Sequence, residues 1–200
     1  MTTKNLDKYT GLKEWGWYMH DFSHMKAHLA AHLPLTEKLM ILEIGAFDGI
    51  GTNMLLDEFF TNKETVIFTV DPFLPDETTP QVSDETRVLF VSNLKAGGHK
   101  KQINLLAEKS EVALPGLIER ELKFDFIYVD GSHKEADVRV DAKNAWELLK
   151  VGGVIGFDDY LWTAEGVDGP KKAIDEFEAE HKDQLQLLYS DWQRWYKRIA

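Results

Sequence analysis

Apolar residues recur along this chain in two rhythms: short runs that suit buried strands, and longer stretches spaced three or four apart that suit amphipathic helices. Leu12, Trp15, Met19, Phe22, Leu29 and Leu33 stand near helical spacing and predict a helix over 12–33, closed by Pro34. Residues 39–44 read as a buried strand, followed by a glycine-bearing turn and a helix over 52–60, and 65–70 read as a second strand. Residues 72–83 are loop-like; Asp84 then caps a helix over 84–96 that Gly97 stops, although 88–91 also suits a short strand and periodicity does not choose. Strands follow at 103–107 and 124–129, a helix at 134–150 stopped by Gly152-Gly153, a strand at 154–157 and a helix at 171–181. Residues 185–189 and 195–199 suit two last strands, close enough to pair as an antiparallel hairpin.

Strands alternating with helices imply right-handed crossovers, hence an α/β fold with a mostly parallel sheet and helices on both faces. Ligands of such sheets bind outside the carboxyl ends of the strands. The organisation expected is a helical extension or lid over 1–34, in which Trp15, Trp17 and Tyr18 cover a pocket, join the core or form a dimer contact, and a ligand-binding domain over 35–200.

Composition narrows the function classes. A chain of 200 residues with 44% hydrophobic side chains can bury a substantial core. No apolar run approaches the ~20 residues a membrane span needs, and residues 1–9 lack the apolar stretch of a secretory signal. Cysteine is absent, which removes disulfides, zinc thiolates and thiol nucleophiles, and a cytoplasmic location is expected. The formal charge of −11 argues against nucleic acid, so the partner expected is a small molecule; a homodimer is left open.

The chemistry concentrates at strand ends. Leu42-Glu43-Ile44-Gly45-Ala46-Phe47-Asp48-Gly49-Ile50-Gly51-Thr52 runs a strand into glycines and then a helix, and Gly45 and Gly49 allow a tight turn and a close backbone approach to a ligand. Glu43 can orient that turn or, through water, meet a ligand ammonium. The spacing differs from the Gly-x-Gly-x-x-Gly of nicotinamide binders. Asp71 ends the next strand, where a carboxylate can accept both ribose hydroxyls. Asp130 and the Asp158-Asp159 pair would meet if their strands are neighbours. Three carboxylates there suit an octahedral Mg²⁺ or a similar cation, or else they cap loops and bond backbone amides. His133, beside Asp130, is placed as a general base or as a helix cap. His20, His24, His28 and His32 form a stripe that suits a solvated or pocket-lining face better than a metal site.

At these residues the chain resembles class I S-adenosylmethionine-dependent methyltransferases, above all the small bacterial group with an Asp-Gly-Ser-His segment (130–133) and a Phe-Asp-Asp-Tyr segment (157–160). The resemblance covers about 38–198 and implies a Rossmann-like seven-stranded sheet ending in the antiparallel hairpin. It places the methionine part of S-adenosylmethionine against Gly45 and Phe47, the ribose on Asp71 and the adenine near Ser110, with Asp130 on the same rim. In the metal-dependent O-methyltransferases, acids matching Asp130, Asp158 and Asp159 hold Mg²⁺, and the base falls at or near His133. Catechol-type enzymes have a lysine there, so the histidine is a departure. The function expected is methyl transfer to a small-molecule oxygen, Mg-assisted. A binding module without catalysis, a nicotinamide-dependent oxidoreductase and an aminopropyl transferase are the alternatives.

Overall fold

The computed structural model describes residues 7–11, 25–26, 28–165 and 169–200. Strands β1 (Met40–Ile44), β2 (Val66–Val70), β3 (Ile103–Leu106), β4 (Phe124–Val129), β5 (Leu149–Phe157), β6 (Leu185–Ser190) and β7 (Arg194–Arg198) form one sheet in the order β3-β2-β1-β4-β5-β7-β6. β1 to β5 pair in parallel, whereas β7 runs antiparallel to β5 and β6 antiparallel to β7. The helices are α1 (Ile50–Met54, continued by a π-helical turn, Leu55–Phe59), α2 (Asp84–Gly97), α3 (Ser110–Glu119), α4 (Glu135–Leu148) and α5 (Pro170–Glu180). This is the mostly parallel α/β sheet that the pattern predicts, in the Rossmann-like seven-stranded form with a terminal antiparallel pair that the resemblance implies.

Strand alternation divides the core between the two faces of the sheet. Ile41, Ile67, Phe126 and Val154 join a cluster with Met54, Phe59 and Phe90 from α1 and α2. Leu42, Phe68, Ile127 and Ile155 join another with Leu114, Ala142 and Ile174 from α3, α4 and α5. Burying such a side chain stabilises the fold by about 1.5–3 kcal/mol, so the period-2 pattern sets which face each strand presents. The chain steps outward from β1 to β3 and then returns to β4 on the other side of β1. The crossovers therefore diverge between β1 and β4, and a crevice opens at their carboxyl ends.

Residues 25–26 and 28–32 are helical, and Met25 and Leu29 are fully buried in the first cluster. The rest of the predicted helix, with Trp15, Trp17, Tyr18, His20 and His24, lies outside the described residues. Tyr9 and Thr10 are anchored: the Tyr9 hydroxyl donates to Asp57 (2.6 Å), and Thr10 exchanges hydrogen bonds with the Asn93 side chain (2.9 and 2.8 Å).

Four elements differ from expectation. Helix α3 carries Pro115 and Gly116 in its middle, which suppress the sequence signal, and the burial of Ala113, Leu114 and Leu117 overrides that propensity. The cap of α2 is Ser83, whose N–H donates to Thr86 Oγ1 (2.9 Å), rather than Asp84; the end is Gly98, at φ +77°, rather than Gly97. Residues 88–91 belong to that helix, with Val88 exposed. Gly152-Gly153 do not stop α4; β5 starts at Leu149 and passes through both. Gly153 permits this because a Cβ would come 2.9 Å from the Lys150 carbonyl oxygen and 3.0 Å from that of Asp125.

Candidate active site

The crevice is built first by backbone. Gly45, at φ +94°, follows β1, and a Cβ there would stand 1.9 Å from the carbonyl oxygen of Asp130. Glycine is thus required for the tips of β1 and β4 to close up, and the Asp130 N–H donates to the Ile44 carbonyl across the join (2.8 Å). The turn continues through Phe47, also at positive φ (48°). Asp71, at the end of β2, fixes it: Oδ2 accepts from the amides of Ala46 (2.9 Å) and Phe47 (2.8 Å), and Oδ1 accepts from that of Phe73 (2.7 Å). Glu43 is buried below, where Oε2 accepts from the hydroxyls of Thr52 and Thr69, both at 2.6 Å. Burial pushes its carboxyl up to about 7, against the pull of those two hydroxyls.

A cavity of about 460 Å³ opens over this scaffold, within the ~300–1,000 Å³ typical of small-molecule sites. Glu43, Gly45, Phe47, Asp71, Ser110 and Asp130 all line it, and so do His133, Asp158 and Asp159. Gly49 is not among the lining residues; at φ +77° it precedes α1 and packs on the Phe90 ring, which a Cβ would meet at 2.7 Å. Its glycine serves the turn and the packing beneath.

At the β4–β5 end the charged groups pair with one another. His133 Nε2 lies 2.8 Å from Asp159 Oδ2, both side chains being about 15% exposed. Trp162 packs on the imidazole (4.8 Å between centroids), and Nδ1 is buried without a protein partner. Asp159 sits at φ 56°, which turns it away from Asp158. Asp158 faces inward: the buried Tyr128 hydroxyl donates to its Oδ2, Gln193 Nε2 donates to the same oxygen (3.2 Å), and the Asp159 amide donates to Oδ1 (2.8 Å). Trp195 Nε1 holds Gln193 in turn (3.1 Å).

This arrangement does not suit the predicted Mg²⁺ set. Both oxygens of Asp158 accept hydrogen bonds and Asp159 is turned to His133, so with Asp130 they do not converge on one point. Among the described residues no three His, Asp or Glu side chains are placed to share an ion.

At the opposite end Ser110 opens α3 and bonds Asp141 of α4. Asp141 is 2% exposed, lines the cavity, and has one oxygen, Oδ1, without a partner. Burial first, then the neighbouring Asp137 and Glu111, push its carboxyl up to about 7. The loop over 72–83, read as a loop but given no role from the sequence, supplies a wall through Leu74, Asp76, Thr79 and Val82, and Lys134 clasps it by pairing with Asp76 (3.5 Å) and Glu77 (3.0 Å). Sequence reasoning also missed Tyr128, Asp141, Gln193 and Trp192. Tyr128 had a signal, as a polar tip one residue before the end of β4, but Trp192 reaches the cavity and Gln193 reaches Asp158 only because β7 lies beside β5.

The comparisons with known proteins agree with this geometry. An Arabidopsis thaliana protein provisionally assigned as a caffeoyl-CoA O-methyltransferase is 30% identical over 112 residues, 53% of this chain and 47% of that one. The chain thus spans about half the length of the curated relative it matches. An rRNA-methylase, so assigned, from Clostridium thermocellum superposes with a TM-score of 0.65 at 12% identity, covering 96% of this chain and 99% of that one. An assigned O-methyltransferase from Klebsiella pneumoniae superposes at 0.64 with 18% identity, covering 98% and 86%. At those identities the two structures establish the fold. The sequence profile described as "Methyltransferase domain" matches residues 42–160, from the tip of β1 through both acidic strand ends, and the chain belongs to that methyltransferase family, as its resemblance to the class I S-adenosylmethionine-dependent enzymes implies.

Proposed function

We propose that the protein transfers the methyl group of S-adenosylmethionine to a hydroxyl oxygen of a small molecule, with His133 as the base and Asp159 holding it. The observation that carries this reading is the His133–Asp159 pair at the cavity wall. With Nε2–H donated to Asp159, the imidazole has its lone pair on Nδ1, the nitrogen that has no protein partner.

The sulfonium donor is already activated, so the chain's own work is alignment and proton removal. The turn at Gly45 and Phe47, which Asp71 braces, and the rim at Ser110 would hold the cofactor, and its methyl would point toward the His133 end. As the acceptor oxygen forms its bond to the methyl carbon, the carbon–sulfur bond breaks with its electron pair left on sulfur. The hydroxyl proton passes to His133 Nδ1, and Asp159 stabilises the imidazolium. No step runs through a divalent ion, because Asp158 and Asp159 are committed elsewhere.

Formation of S-adenosylhomocysteine with a panel of hydroxylated acceptors tests the reading. The H133A variant should lose about 10²–10⁴-fold in kcat while binding S-adenosylhomocysteine as before. D159N should lose activity in the same direction, by about tenfold or more. Full turnover in H133A removes His133 as the base, and cofactor binding with no turnover anywhere on the panel makes the chain a binding module. Activity should survive excess chelator; its loss would restore the metal.

A further inference from the structure

Resting on the methyl-transfer reading of this cavity, we infer that the acceptor carries a positive charge and no phosphate: a small hydroxylated amine rather than an acyl-coenzyme A or a nucleotide sugar. The argument is electrostatic. Nine carboxylate side chains line the cavity against two lysines, and no arginine lines it among the described residues. Both lysines are already answered by acids: Lys134 by Asp76 and Glu77, and Lys109 by Glu111 (3.6 Å). A phosphate entering here meets no uncommitted cation, and like-sign fields repel it.

S-Adenosylmethionine brings a net charge of about +1, which leaves most of the acidic excess uncompensated. Trp192, 40% exposed on the cavity wall, offers an aromatic face to an organic cation.

Three acceptors with the same ortho-diol and different charge test the inference on the full chain, in excess chelator. They are dopamine, dihydroxyphenylacetate and caffeoyl-coenzyme A. Their dissociation constants are measured against the S-adenosylhomocysteine complex by tryptophan fluorescence, and kcat/KM by S-adenosylhomocysteine formation. Dopamine should have a dissociation constant about tenfold or more below that of dihydroxyphenylacetate and a kcat/KM about tenfold or more above it, with caffeoyl-coenzyme A weakest, and the gap should shrink at high salt as the cavity's field is screened. Equal values, a preference for either anion, or no binding of dopamine at about 10 mM overturns the inference. Failure to bind S-adenosylhomocysteine at all would instead overturn the methyl-transfer reading beneath it.

Discussion

The tips of β1 and β2 and the tips of β4 and β5 carry similar residues, acids at strand ends, and use them in opposite ways. Asp71 gives its oxygens to the amides of Ala46, Phe47 and Phe73, and Glu43 takes the hydroxyls of Thr52 and Thr69. At that end the carboxylates brace the turn that makes the floor of the cavity. At the other end Asp159 pairs with a titratable ring, and Asp158 sits in a chain of polar side chains that ends on Trp195. One end is scaffold, and the other sets an imidazole against a carboxylate at the cavity wall, where the proposed reaction needs its base. A strand-end acid therefore does not by itself announce a ligand contact; what matters is whether backbone amides or side chains surround it.

The hardest test of this contrast is Gly45→Ala. Its Cβ would collide with the Asp130 carbonyl at 1.9 Å in a backbone at φ +94°, so the two tips cannot keep their spacing. A loss of about 3 kcal/mol or more in urea unfolding is expected, together with loss of S-adenosylhomocysteine binding. Wild-type stability in this variant would mean that the two ends are not welded at this point.

Glu43→Gln sharpens the scaffold half. Burial raises Glu43 from its ordinary 4.5 to about 7, so the folded chain holds that proton more tightly than the unfolded chain. Its contribution to stability is therefore fully present below pH 4.5 and is lost as pH rises through about 7. Asp141, raised to about 7, acts in the same sense and remains in the variant. Between acid and mildly alkaline pH the wild type should lose about 3 kcal/mol more than E43Q. Parallel stability–pH curves would show that Glu43 does not titrate there.

The smallest effect belongs to the clasp over the cavity. The side chain of Glu77 is 67% exposed, so Glu77→Ala should change stability by less than about 0.5 kcal/mol. It frees Lys134 from one partner, and a rise of a few-fold in KM with kcat unchanged is the expected signature. A fall in kcat would tie the loop to the β4–β5 chemistry instead.

Much of this molecule was legible in one dimension. The strands at 40–44, 66–70 and 124–129 stand out because each is a dense apolar run, and the run itself creates the energy that buries it. Helix α3 was not legible, because Pro115 and Gly116 speak against it locally while its apolar face is satisfied only by the sheet. Among the residues picked out by motif, Gly45 and His133 line the cavity, whereas Gly49 is not among its lining residues and packs on Phe90.

The alternation of apolar and polar residues by itself determined the α/β layering, the faces of the strands and the edge of the sheet where chemistry gathers, since these follow from local periodicity and burial. Only the tertiary structure decided what each acid does. That Asp158 turns in to Tyr128 and Gln193 while Asp159 turns out to His133 depends on a positive-φ residue and on β7 lying against β5. Hydrogen-bond partners that far apart along the chain leave no periodic trace, because direction and distance, not spacing in sequence, set the energy of a polar contact.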